Sequence, residues 1–123
     1  MATPPGTNVR GFLTDDEGEL LSALACEAGR LGPVLEIGSW CGRSTIWLAQ
    51  GAKLAGTVVL ALDHHRGSEE HQPGEMFFDA DLVDGEGRVD TLREFRRNIA
   101  QAGVEDTVIP IVAGTQQAQT ILP

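Results

Sequence analysis

Residues 34–48, VLEIGSWCGRSTIWL, leave this chain few choices of fold. The run Val34, Leu35, Glu36, Ile37 is bounded by Pro33 and Gly38. It is too short for a helix and suits a strand buried on both faces. The glycine-flanked turn Gly38-Ser39-Trp40-Cys41-Gly42 leads into a segment with helical character over residues 44–53, and TVVLAL at 57–62 reads as a second buried strand closed by Asp63. Strand, helix and strand within about thirty residues predict a right-handed crossover with parallel pairing. The fold class is therefore α/β, built on the βαβ unit of a doubly wound parallel sheet with flanking helices.

The rest of the chain fits around that unit. Residues 1–12, with Pro4, Pro5, Gly6 and Gly11, read as a flexible lead-in, so that the domain itself is expected over 13–123. Thr14 with Glu17 three residues on is a capping-box pattern, predicting a helix over 15–30. Its apolar face would be Leu20, Leu21, Leu24, Ala25, Ala28 and Leu31, and Gly32 with Pro33 would stop it. Residues 64–88 form a long polar loop, with a short helix expected near Met76 and Phe78. Asp90 is placed to cap a helix carrying Leu92, Phe95, Ile99 and Ala102 on one face and ending at Gly103. TVIPIV at 107–112 is the third strand, and its Pro110 suits a sheet edge because proline cannot donate to a ladder. The predicted strand order is 3-2-1, which leaves the first strand as an open edge where a homodimer could form. The final QQAQTILP offers no fourth strand.

Charge and cysteine content narrow the function. Nine basic and eighteen acidic residues give a net charge of -9, which argues against nucleic acid because phosphate binding needs a basic face. Arg93, Arg96 and Arg97 read as a solvated helix face. With two cysteines, no signal-like N-terminus and no window of about 20 apolar residues, the expectation is a reduced, cytoplasmic protein that does not enter a membrane.

The turn itself selects among ligands. A glycine between strand and helix lets a ligand approach the backbone, and the amides of the helix start suit a carboxylate or other anion. A phosphate loop would need wider glycine spacing and a lysine where Arg43 stands. A dinucleotide fingerprint would need a glycine where Trp40 stands. What remains is E-x-G-x-x-x-G, with Glu36 in the first strand and Asp63 after the second. An acid in the latter position accepts from both hydroxyls of a ribose, so the ligand predicted is a nucleoside lacking a pyrophosphate. No metal is expected from His64, His65, His71 and Asp63, since neighbours at a strand end point to opposite sides. Glu69, Glu70, Asp79, Asp81 and Asp84 read as a solvated loop.

VLEIGSWCGRST, then ALDHHRGSEEH and DTLREFRRNIAQAGVEDTVIPIVAGT, resemble the class I S-adenosylmethionine-dependent methyltransferases, in particular the small O-methyltransferase type and an uncharacterised bacterial subgroup of it. The likeness runs over residues 34–115 and implies the N-terminal half of a Rossmann-like sheet, truncated after the third strand. It implies S-adenosylmethionine as cofactor and a small molecule as methyl acceptor. By the same resemblance Glu36 reaches the methionine amine, Gly38 and Gly42 pass close to the ligand, and Ser39 and Trp40 line the turn. Ser44 bonds the methionine carboxylate, Asp63 holds the ribose, His64 flanks the adenine, and Thr115 or Gln116 touches its edge. No catalytic residue is assigned, because the family's acceptor-activating acids follow later strands. The alternative is a non-catalytic nucleotide-binding or interaction module with the same fold.

Overall fold

The computed structural model describes residues 8–122, so residues 1–7 of the expected lead-in lie outside the described residues. Helix α1 spans Asp15–Ala28, β1 Val34–Ile37, α2 Arg43–Leu54, β2 Val59–Asp63, α3 Leu92–Gln101, β3 Val108–Val112 and the short α4 Thr115–Ala118. The capping box at Thr14 is present: Glu17 N–H donates to Thr14 Oγ1 at 3.3 Å and Thr14 N–H to Glu17 Oε1 at 3.0 Å. Gly29 caps α1, short of the stop expected at Gly32.

The apolar face assigned to α1 holds at Ala25 and is corrected at its leucines. Leu20, Leu24 and Leu31 are 60%, 51% and 94% exposed, and the buried positions are Gly18 and Ala25. The reason is how near α1 lies to α2. A Cβ at Gly18 would sit 2.3 Å from the Trp47 ring, and one at Gly51 2.0 Å from the Ser22 carbonyl oxygen. Small residues make this seam because the backbones nearly touch, leaving the leucines beside it.

All pairing in the sheet is parallel, in the order β1-β2-β3 with β2 in the middle. Among the described residues β3 pairs with β2 alone, so Pro110 lies on an edge strand there. Side chains alternate between faces along each strand. On one face Val59, Ala61 and Val108 pack with Ile46, Ala49 and Ala52 of α2 and Phe95 and Ile99 of α3. On the other face Leu35, Ile37 and Ile109 are exposed by 47%, 63% and 47%. The expectation that β1 is buried on both faces is therefore corrected. Helices α2 and α3 pack on the Val59 and Ala61 face, while on the other face Leu62 at the middle strand is buried and the edge-strand residues are not. A continuous apolar run cannot reveal which face will find a neighbour.

The cap of α3 also differs from expectation. Thr91 is the N-cap, while Asp90 accepts from Leu92 N–H at 3.0 Å. Asn98, which the apolar pattern passed over, is buried and donates from Nδ2 to the Cys41 carbonyl at 2.9 Å, tying α3 to the glycine turn. In the long loop the helical turns are 3₁₀ segments at Glu69–His71 and Ala80–Leu82, and the helix expected near Met76 and Phe78 is a turn. Loop and N-terminal segment hold each other. Arg10 is ion-paired with Asp79 and Asp81, Phe12 packs edge-on against Phe77 with ring centroids 5.9 Å apart, and Arg43 Nε donates to the Leu13 carbonyl at 2.7 Å. Asp79 and Asp81 are thus anchors as well as solvated acids.

Candidate nucleoside site

Parallel pairing puts the C-terminal ends of the strands at one edge of the sheet, and the glycine turn and long loop meet there. Asp63 ends β2 with its side chain only 15% exposed. Its Oδ2 accepts from Trp40 N–H at 2.7 Å and its Oδ1 from His65 N–H at 2.9 Å. Trp40 and His65 are the two non-glycine residues with positive φ among the described residues, at 47° and 62°. Each holds an uncommon backbone conformation that turns its N–H toward one carboxylate. Asp63 is thus oriented by backbone donors from both flanking loops, and each oxygen retains a lone pair for a ligand.

His65 is buried at 2% exposure, with Nδ1 2.7 Å from Thr91 Oγ1 and its ring 5.0 Å from that of Phe95. Burial pushes its pKa down, so the neutral ring is favoured there. This explains why the Thr91 hydroxyl does not cap α3.

Glu36 is placed differently. Ser44 Oγ and Thr45 Oγ1, both in the first turn of α2, donate to its two oxygens. Burial raises its pKa, opposed by the two hydroxyl bonds. The Ser44 hydroxyl has one hydrogen, and Glu36 takes it.

The two glycines of the turn also separate. Gly38 has φ +88°, and a Cβ built on it would find nothing within 4 Å, so the backbone opens onto free space. Gly42 has φ +94°, but its Cβ would press to 3.2 Å from Phe95 and 3.4 Å from Ile99. Gly38 faces a cavity, and Gly42 lets α3 approach.

Two cavities meet over the turn and share Gly38, Trp40 and His71. One, about 330 Å³, is lined by Asp63, His64, Gly67, Ser68, Ala113 and Thr115 among others. The second, about 690 Å³, is lined by Phe12, Leu13, Ser39, Ser44, Glu70 and Phe77 among others. A third, about 410 Å³, lies between the loop around Asp84 and α3 and shares no residue with the other two.

Of the residues expected at the site, Gly38, Trp40, Asp63, His64 and Thr115 line the first cavity and Ser39 and Ser44 the second. Glu36, Gly42 and Gln116 line neither. Among the described residues no group of three metal-ligating side chains comes together. The sequence reading gave no ligand role to Ser68, His71, Phe12 or Phe77. Two stacked rings, Trp40 and His71, with centroids 5.6 Å apart and planes 22° apart, form the partition between the cavities. Their separation in sequence carries no signal, since the loop that carries His71 is placed by tertiary contacts.

Known proteins share this architecture. A cofactor-bound protein from MTB, Rv0187, superposes with TM-score 0.61 at 27% identity, covering 95% of this chain and 42% of that one. The O-methyltransferase from Bacillus cereus, solved in complex with SAH, gives TM-score 0.56 at 29% identity over 89% of this chain and 39% of that one. A proposed O-methyltransferase from Klebsiella pneumoniae, TM-score 0.58 at 24% identity over 90% of this chain and 39% of that one, shares the fold. The chain thus spans about two fifths of the length of the structures it matches. The profile of the methyltransferase domain family matches residues 35–123, most of the sequence, and the chain belongs to that family.

Proposed function

We propose that this chain binds S-adenosylmethionine across the two cavities and serves methyl transfer to a hydroxyl of a small molecule. The observation that carries the reading is Asp63, which has both oxygens fixed by backbone donors at the mouth of a nucleoside-sized cavity, beside a Gly38 whose missing Cβ leaves room for a ligand. The SAH complex of the Bacillus cereus relative supports the choice of nucleoside.

The residues fit such a cofactor in three parts. Asp63 would accept from the ribose hydroxyls, and His64 and Thr115, which line the same cavity, would flank the base. Gly38, which lines both cavities, would leave room for the sulfur-bearing middle of the cofactor. Ser44, whose hydroxyl donates to Glu36 in this structure and can turn when a ligand arrives, would lie against the amino-acid tail. When bound, the cofactor supplies a methyl group on a positively charged sulfur. The chain's own contribution is to fix its geometry.

Calorimetric titration with SAH tests the reading. Binding by the full chain, lost in Asp63→Asn, is expected; no heat with the wild type would sink it. No helix among the described residues is long and apolar enough to cross a membrane. The free thiols of Cys26 and Cys41 support a cytoplasmic setting. β1 pairs only with β2 among the described residues, which supports a homodimer through that edge; light scattering that returns a monomer mass would exclude it.

A further inference from the structure

The carboxylate of the amino-acid tail has two oxygens and needs more donors than the Ser44 hydroxyl alone. The first-turn amides of α2 lack intrahelical acceptors, and its N-cap Gly42 supplies no side chain. A side-chain donor stands close by in the shared partition. Ser68 N–H donates to His71 Nδ1 at 3.1 Å, and an N–H can only donate, so Nδ1 must present its lone pair. The Ser68 hydroxyl lies 2.8 Å from the same nitrogen. In the neutral ring the proton is then on Nε2. Nε2 makes no protein hydrogen bond among the described residues, while the ring lines both cavities and is held against Trp40. A buried hydroxyl without a partner, Ser39 Oγ, belongs to a residue lining the same second cavity.

We propose that His71, kept in its Nε2–H form by Ser68, donates to the carboxylate of the cofactor's amino-acid tail and so selects a nucleoside carrying a zwitterionic tail over the bare nucleoside. The second cavity suits such a tail because its lining mixes signs: Arg10 and Arg43 with Glu17 and Glu70. The contact is a donor contact and not a base, because Nδ1 is taken by Ser68 and Nε2 carries the hydrogen. His71 is a binding residue on this account, with no part in deprotonating the acceptor. The inference rests on the cofactor reading above, and its test separates the two.

The experiment compares SAH with 5′-methylthioadenosine, which has the nucleoside and thioether but no amino-acid tail, by calorimetry on the full chain. Wild type, His71→Phe and His71→Gln are titrated with each. The aromatic variant keeps a ring against Trp40 and loses the donor; the amide variant restores a donor. Losing a charge-assisted hydrogen bond is expected to weaken SAH about tenfold or more in His71→Phe. Binding of 5′-methylthioadenosine should be unchanged, and His71→Gln should recover part of the SAH loss. Equal weakening of both ligands, or undiminished SAH affinity in His71→Phe, overturns the role of His71 and leaves the cofactor reading standing. Failure of the wild type to bind either nucleoside overturns both.

Discussion

Glu36 and Asp63 stand near the ends of adjacent parallel strands, both carboxylates and both doubly hydrogen-bonded, yet the structure uses them in opposite ways. Glu36 is satisfied by two side-chain hydroxyls from α2 and lines neither of the two cavities over the turn. Asp63 is satisfied by two main-chain amides and borders the first cavity. Hydroxyls can rotate away when a ligand arrives, whereas an amide set by a left-handed φ cannot. The difference teaches that Asp63 is pre-organised, a fixed acceptor whose cost was met on folding, while Glu36 and Ser44 form an adjustable pair that can rearrange around a cation.

The strongest way to break this comparison is Asp63→Ala. It strands two partly buried amides held in uncommon conformations, and we expect about 3 kcal/mol of lost stability together with loss of measurable SAH binding, read by denaturant unfolding and calorimetry. A stability change near zero would mean that the Trp40 and His65 conformations do not depend on the carboxylate.

The two glycines sharpen the contrast between ligand space and packing. Alanine at either position carries the cost of a left-handed φ, about 1 kcal/mol or more. Gly38→Ala should add little further destabilisation but place a methyl group where a ligand must lie, lowering SAH affinity about tenfold or more. Gly42→Ala should instead force Phe95 or Ile99 to shift and show its larger effect on the unfolding midpoint. The opposite pattern would exchange the roles assigned to them.

Ser44→Ala is expected to cost about 1 kcal/mol of stability and to weaken SAH by a few-fold, because Thr45 still serves Glu36. A loss as large as that of Asp63→Ala would show that the pair is not adjustable.

The smallest effect is expected from Glu36→Gln. Burial raises the pKa of Glu36 above its ordinary 4.5, so the folded state holds its proton more tightly than the unfolded chain. Its favourable share of stability is full below the unfolded pKa and is lost as pH rises through the folded pKa. Near neutral pH the glutamine variant should therefore be as stable as wild type or slightly more so. Its unfolding midpoint should also vary less with pH above about 4.5. A steeper pH dependence in the variant would contradict the burial argument.

Much of this was legible in residues alone. Thr14 and Glu17 announce a helix start because a capping box is satisfied within four residues, and α1 begins there. Residues 34–63 specify strand, turn, helix and strand because each is set by local spacing and by glycine or proline boundaries, and the parallel pairing of β1 with β2 follows. Asp63 could be singled out by its position after an apolar run. The face that α1 would bury could not, because Gly18 and Gly51 gain their meaning only from each other across the seam. The same holds for Thr91, which reads as an available cap until His65 is found against it.

Sequence by itself determined the element order, the glycine turn, the acid after β2 and the mismatch with pyrophosphate ligands, all of which depend on neighbours in the chain. Tertiary structure alone decided which face of the sheet α2 and α3 cover, that Ser44 donates to Glu36, and that His71 partitions two cavities beside Trp40. The physical reason is one of range: caps, turns and periodicity are settled within about one helical turn. A hydrogen bond from Trp40 to Asp63, or a ring stacked from residue 71 onto residue 40, exists only after the strands have paired and the loop between Asp63 and α3 has been drawn across their ends.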